Sequence, residues 1–128
     1  MSVFTPIGSG GAPAPTPSGV VQSNYQTALA VASSATVQII SLMTTGNTYL
    51  LRLDVGGSNL GDFELQVGGT DYARFRTYWG NGLTGQIVFG SSITDAPLLP
   101  SGTNIVIQVT NPRPYPGDYE VRLQYIQD

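Results

Sequence analysis

The chain is 128 residues long and sets five arginines, with no lysine, against eight carboxylates, for a net charge of -3. That balance supplies no basic field to gather phosphates and excludes general nucleic-acid binding. The absence of cysteine excludes a disulfide framework, and the further absence of histidine and lysine removes most of the nucleophiles, general bases and transition-metal ligands that enzymes use.

Charged residues make up 10% of the chain, against roughly 25% in ordinary soluble proteins, so Ser, Thr, Asn, Gln and Gly carry much of the surface. A lightly charged surface suits burial between subunits. No window approaches the roughly 20 apolar residues of a membrane span, and Met1-Ser-Val-Phe-Thr-Pro lacks both a basic and an apolar leader region. The expectation is a soluble, unexported, single-domain product with no cofactor.

Residues 1–22 read as an extended arm and residues 23–128 as one domain. Four prolines and four glycines up to Gly19 exclude a helix or a central strand. Fully extended, such an arm reaches on the order of 60 Å, enough to cross a neighbouring subunit. Val3, Phe4 and Ile7 are its candidate apolar anchors.

Beyond the arm, short runs rich in β-branched and aromatic residues alternate with turn signals, and no 3.6-residue apolar period is sustained. The fold class is all-β, an antiparallel β-sandwich of about eight strands, jelly-roll-like. Strands are expected at Tyr25 to Ala32, Thr36 to Met43, Thr48 to Val55, Asp62 to Val67, Thr70 to Tyr78, Gly85 to Phe89, Thr103 to Thr110 and Tyr119 to Ile126.

Period-two alternation names the core: Tyr49, Leu51, Leu53 and Val55 opposite Arg52 and Asp54; Phe63, Leu65 and Val67 opposite Asp62, Glu64 and Gln66; Ile105, Ile107 and Val109; and Tyr119, Val121, Leu123 and Tyr125. Between Val37 and Leu42 the apolar phase slips by one residue, which implies a bulge or a strand buried on both faces. Gly68-Gly69 is a two-residue hairpin signal, because glycine tolerates the positive φ that primed turns need. Ile93 to Gly102, with Pro97 and Pro100, reads as a connection and not as a ninth core strand.

Alternation from Thr70 to Tyr78 places Tyr72, Arg74, Arg76 and Tyr78 on one outward face. Arg and Tyr combine large contact area with directional hydrogen bonds and are enriched at interface hot spots, so the row reads as a protein interface, ahead of a solvated face or a glycan or acidic-ligand face. Trp79, the only tryptophan, follows beside Gly80-Asn81-Gly82. A sandwich-end plug or a subunit contact is preferred there to a sugar platform.

Asn111-Pro-Arg113-Pro-Tyr115-Pro-Gly117 is a stiff loop that offers Arg113 and Tyr115 either as contacts or merely within a rigid connector. The oxygen-rich segment from Asp54 to Glu64 lacks the spacing of a calcium loop and reads as a charged hairpin edge. Asp62 and Glu64 have a separation that a glycosidase pair could use, but nothing in the sequence marks a pocket around them.

The span from Thr45 to Ile126 contains a Gly-Asn-Thr-Tyr-Leu-Leu-Arg-Leu-Asp start, the Gly-Gly hairpin, Leu-Pro-Ser-Gly-Thr-Asn-Ile-Val-Ile-Gln-Val-Thr-Asn, and a Tyr-Glu-Val-Arg-Leu-Gln-Tyr end. In these features it resembles the small β-sandwich virion proteins of tailed bacteriophages. The resemblance implies a head decoration, or cement, protein whose arm ties it to the major capsid protein or other virion subunits. It also implies virion localisation after synthesis in the host cytoplasm, and assembly as a homo-oligomer, a trimer being one such arrangement. A tail, adaptor or fibre component is the second implication. A carbohydrate- or receptor-binding module using Tyr72, Tyr78 and Trp79 is the rival from another class.

Overall fold

The computed structural model describes residues 20–77 and 83–127. Among the described residues nine strands build two antiparallel sheets: β1 Val21–Val31, β2 Thr36–Met43, β3 Thr48–Gly57, β4 Gly61–Val67, β5 Thr70–Thr77, β6 Gly85–Val88, β7 Leu98–Leu99, β8 Asn104–Thr110 and β9 Gly117–Gln127. One sheet has the order β1-β9-β3-β6, with β7 also on β3, and the other has the order β2-β8-β4-β5.

Apart from the two-residue β7, the pairing is nested. β1 lies on β9, β2 on β8, β3 on β6 and β4 on β5. The product is a jelly-roll-like antiparallel β-sandwich.

Leu50, Leu53 and Val55 of β3 and Tyr119, Val121 and Leu123 of β9 lie in one core cluster with Phe63 and Leu65 of β4 and Ile105, Ile107 and Val109 of β8. Removing each such side chain from water contributes about 1.5–3 kcal/mol. Phe63 joins the layers: its ring stacks on Phe75 within its own sheet at 5.8 Å and meets Tyr119 of the other sheet edge-on at 5.9 Å. Tyr119 occupies a socket left open by small residues. A Cβ at Gly57 would stand 2.5 Å from its Cδ1, and one at Gly61 2.7 Å from its Cε1. Its hydroxyl donates to the Leu60 carbonyl at 2.8 Å.

Three departures from simple alternation reshape the faces. The phase slip after Val37 is a bulge between Gln38 and Ile40. A second bulge, between Leu50 and Arg52, corrects the expected face of β3. Leu50 replaces Leu51 in the core, and Tyr49 turns to the outer face, where it stays half-buried. The expected core members Leu53 and Val55 keep their places because they follow the bulge.

Strand limits also differ, most of all at the start of β1 and after Ile93. β1 starts at Val21 and not Tyr25, since its register continues to Val21 opposite Ile126. The connection after Ile93 contains a ninth strand after all, β7, where Leu98 and Leu99 add to the β3 edge beyond the reach of β6. Gly68 and Gly69 take φ values of +61° and +81° and close the β4–β5 hairpin as expected.

Candidate protein interface

The outward residues of β4 and β5 form a charged lattice. Asp62 receives Arg76 through two bonds, Nε to Oδ1 at 2.6 Å and Nη2 to Oδ2 at 3.1 Å. Arg74 Nη2 donates to Glu64 Oε2 at 3.0 Å and to Asp71 Oδ2 at 2.7 Å, and Gln108 of β8 donates to Glu64 Oε1 at 2.7 Å. Hydrogen bonding with the Glu64 carboxyl, reinforced by Arg74, holds Asp71 below the usual carboxylate range. The Asp71 carboxylate, with Glu64 behind it, raises Arg74 in turn.

Asp62, Phe63, Glu64, Arg74, Phe75, Arg76 and Thr110 line an open depression of about 410 Å³ over this lattice. Every carboxylate oxygen of Asp62 and Glu64 already accepts a hydrogen bond there. The pair is thus occupied as a sheet cross-link. Among the described residues, no group of three or more acidic side chains is arranged to hold a metal ion.

Tyr72 does not share the row of Arg74 and Arg76. β5 is bulged between Asp71, opposite Gln66, and Ala73, opposite Leu65, so Tyr72 is the extra residue. Its ring instead meets Phe89 at 5.7 Å, and Phe89 itself packs against the core. The same bulge brings Asp71 round to Arg74. Tyr78 and Trp79, like the arm residues Val3, Phe4 and Ile7, lie outside the described residues.

The loop between β8 and β9 is fixed from below by two buried amides. Asn111, fully buried, donates through Nδ2 to the carbonyls of Val31 at 2.9 Å and Tyr115 at 2.8 Å, and accepts from the Arg113 amide at 2.9 Å. Asn59 donates to the carbonyls of Tyr115 at 3.3 Å and Pro116 at 3.0 Å. The backbone is thereby held while the Tyr115 side chain remains 48% exposed and Arg113 half-buried. Thr110, opposite Asp62, leads directly into this loop, so Arg76 and the loop occupy the same end of the sheet.

No protein-family model matches the chain, and no curated protein is similar to it in sequence. Function must therefore be argued from surfaces.

The opposite sheet carries the two features that the sequence reading missed. Asp54 is buried on the outer face, where Arg52 Nε reaches its Oδ1 at 2.9 Å and Arg122 Nη2 its Oδ2 at 2.8 Å. Arg52 is also hydrogen-bonded to Gln86. The signal was present as charges at matching outward positions of two strands, but only the register of β3 on β9 shows that Asp54 and Arg122 are neighbours.

The second feature is an apolar row. Val21 lies opposite Ile126, Ile126 opposite Tyr49, and Tyr49 opposite Leu98, so four strands contribute one contiguous outward line. Val21 is 49% and Leu98 52% exposed. No linear pattern could have shown this line, because its members are spread from residue 21 to residue 126.

Proposed function

We propose that the chain is a non-enzymatic virion structural protein, most specifically a capsid decoration or cement protein. In this reading it docks on neighbouring subunits through its arm and its β-sandwich surface and stabilises the assembled head. What supports the docking part is the disposition of charge: Arg52, Arg74, Arg76 and Arg122 are held in ion pairs within the molecule. Beside these internally paired charges the outer faces carry polar amides, hydroxyls and the apolar row from Val21 to Leu98, surface that is cheap to desolvate against a protein neighbour. The virion part rests on the sequence resemblance.

Each copy makes several weak contacts, and tethering the arm to the body raises the effective concentration of the second contact once the first is made. Tyr115, on its braced loop, and Arg76, opposite Asp62 at the same end of the sheet, serve together as body contacts.

The test is sedimentation of the purified chain with particles of its source, beside a version lacking residues 2–19. The full chain sediments with heads and the shortened chain, still folded, does not. A full chain that stays in the supernatant overturns the decoration reading. Equal sedimentation of both versions removes the arm from the mechanism.

A further inference from the structure

Edge strands expose a row of unpaired backbone groups, and proteins guard them with charge, proline, bulges or brevity. Among the described residues three of the four sheet edges are guarded. β5 carries Asp71, Arg74 and Arg76 and a bulge, β6 is four residues long, and β2 is bulged in its middle between Gln38 and Ile40.

β1 is the exception. It runs for 11 residues as Val-Gln-Ser-Asn-Tyr-Gln-Thr-Ala-Leu-Ala-Val, with no charged residue, no proline and no glycine. Its register on β9 is unbroken from Val21 to Ala28, and its bulge comes only at the end, between Ala28 and Val31. Among the described residues no strand pairs with its other edge.

The side chains of this edge are also self-complementary. Val21, Tyr25 and Leu29 are 49%, 50% and 71% exposed and recur every four residues; strand alternation sets Val21 and Tyr25 on a common side, and Leu29 follows where the terminal bulge begins. Val21, Ser23, Tyr25 and Thr27 share the outer face with their partners on β9. When the strand is laid antiparallel on a copy of itself with Tyr25 opposite Tyr25, Val21 falls opposite Leu29 and Ser23 opposite Thr27. Centring on Ser23 or Thr27 instead leaves one of the three apolar residues without an apolar partner. On the other face the same register sets Asn24 against Gln26 and Gln22 against Ala28, with no charge to bury.

We infer that β1 is a homodimer interface, at which two copies of this chain join edge to edge about a two-fold axis through Tyr25. The two sheets become one continuous sheet across the axis. The apolar row from Leu98 through Tyr49 and Ile126 to Val21 then runs on to Leu29 of the second copy. A closed two-fold contact uses up the unguarded edge of both copies and leaves none for further growth. This dimer replaces the trimer implied by resemblance and does not depend on the virion reading.

The test begins with the mass of the full chain in solution by light scattering, from micromolar concentration upward. A dimer has a mass of about 27 kDa, twice the 13.5 kDa chain; a monomer at all concentrations, or a trimer, overturns the inference. Tyr25→Lys places like charges opposite each other and gives a monomer with an unchanged circular dichroism spectrum, as does Tyr25→Glu, and mixing the two restores the dimer. Retention of the dimer in either variant refutes the interface.

Cysteine variants fix the register without relying on those charges. Residues directly opposite in an antiparallel pair have Cα atoms about 4.5–5.5 Å apart, within disulfide range, so Tyr25→Cys cross-links on mild oxidation. Ser23→Cys does not, because the two copies of residue 23 are offset by about 13 Å along the strands. Cross-linking of both alike means random collision and refutes the register. A dimer that ignores particles sinks the decoration reading alone, and a monomer that binds them sinks the dimer alone.

Discussion

Asn111 offers the sharpest test of how the Tyr115 loop is held. Asn111→Ala removes a donor from the carbonyls of Val31 and Tyr115 and an acceptor from the Arg113 amide. A buried group that loses its partner costs about 1–3 kcal/mol, and each better-compensated bond about 0.5–1.5 kcal/mol. The Tyr115 carbonyl keeps Asn59 at 3.3 Å, so the Val31 carbonyl and the Arg113 amide dominate. The expected sum is about 3 kcal/mol, which for a domain of this size lowers the thermal midpoint by about 10 °C. Urea unfolding followed by circular dichroism measures it directly, as a lower midpoint at unchanged slope.

Asn111→Asp is the discriminating companion. It keeps the acceptor for the Arg113 amide but turns an oxygen toward two carbonyls, which raises the folded-state pKa of the new carboxyl above its unfolded value of about 3.9. An acid so raised destabilises the fold above the unfolded pKa, so the penalty is full at neutral pH and shrinks as the pH falls through the raised value. The alanine variant shows no such recovery. A cost below about 1 kcal/mol for Asn111→Ala, or an aspartate variant whose penalty does not change with pH, refutes the bracing role.

Three further outcomes follow from the packing. Asp54→Asn costs about 1–2 kcal/mol, because Arg52 and Arg122, at 41% and 37% side-chain exposure, can turn to water. Replacing both arginines by glutamine strands a carboxylate whose side chain is only 3% exposed and costs about 3–5 kcal/mol; thermal unfolding compares the two. Gly61→Ala forces a Cβ to within 2.7 Å of Tyr119 and 2.9 Å of Phe63 and loses about 1–3 kcal/mol by denaturant titration. Burial, with smaller contributions from the charges of Asp62 and Tyr115, raises the Tyr119 phenol above its ordinary 10.0. Its contribution to stability is therefore complete below pH 10 and is lost as pH rises through the folded value. In an alkaline absorbance titration Tyr119 ionises late, together with unfolding, and Tyr119→Phe abolishes that late step.

Much of this fold is legible in the sequence because β-strand alternation is local. Phe63, Leu65, Ile105, Ile107, Val109, Val121 and Leu123 all reach the core that their period-two patterns indicate. The pattern misleads where a bulge adds a residue, and its success around Val37 and failure around Leu51 have one cause. In Val-Gln-Ile-Ile-Ser-Leu the polar residues expose the slip. In Tyr-Leu-Leu-Arg every residue before the arginine is apolar, so nothing local says whether Leu50 or Leu51 faces inward. The answer lies in β9, where Leu50 pairs with Tyr125 and Arg52 with Gln124, one residue on the partner for two on β3. Tyr72 repeats the case on β5, where its aromatic ring suits either face until the register opposite Leu65 and Gln66 is known.

The candidate surfaces separate along the same line. Arg74 and Arg76 are recognisable as outward from β5 alone, but their significance depends on which residues β4 brings opposite them. Glu64 stands opposite Arg74 and Asp62 opposite Arg76, which converts an apparent cationic binding row into a cross-link between strands. Such exposed pairs are worth about 0–1 kcal/mol each, so they fix register and suppress edge pairing on β5 more than they stabilise the fold. By contrast β1 combines an unguarded backbone edge with Val21, Tyr25 and Leu29 at self-complementary spacing, both read within one strand. The edge strand that carries no charge of its own is therefore the one at which contact with a second copy excludes water at least cost.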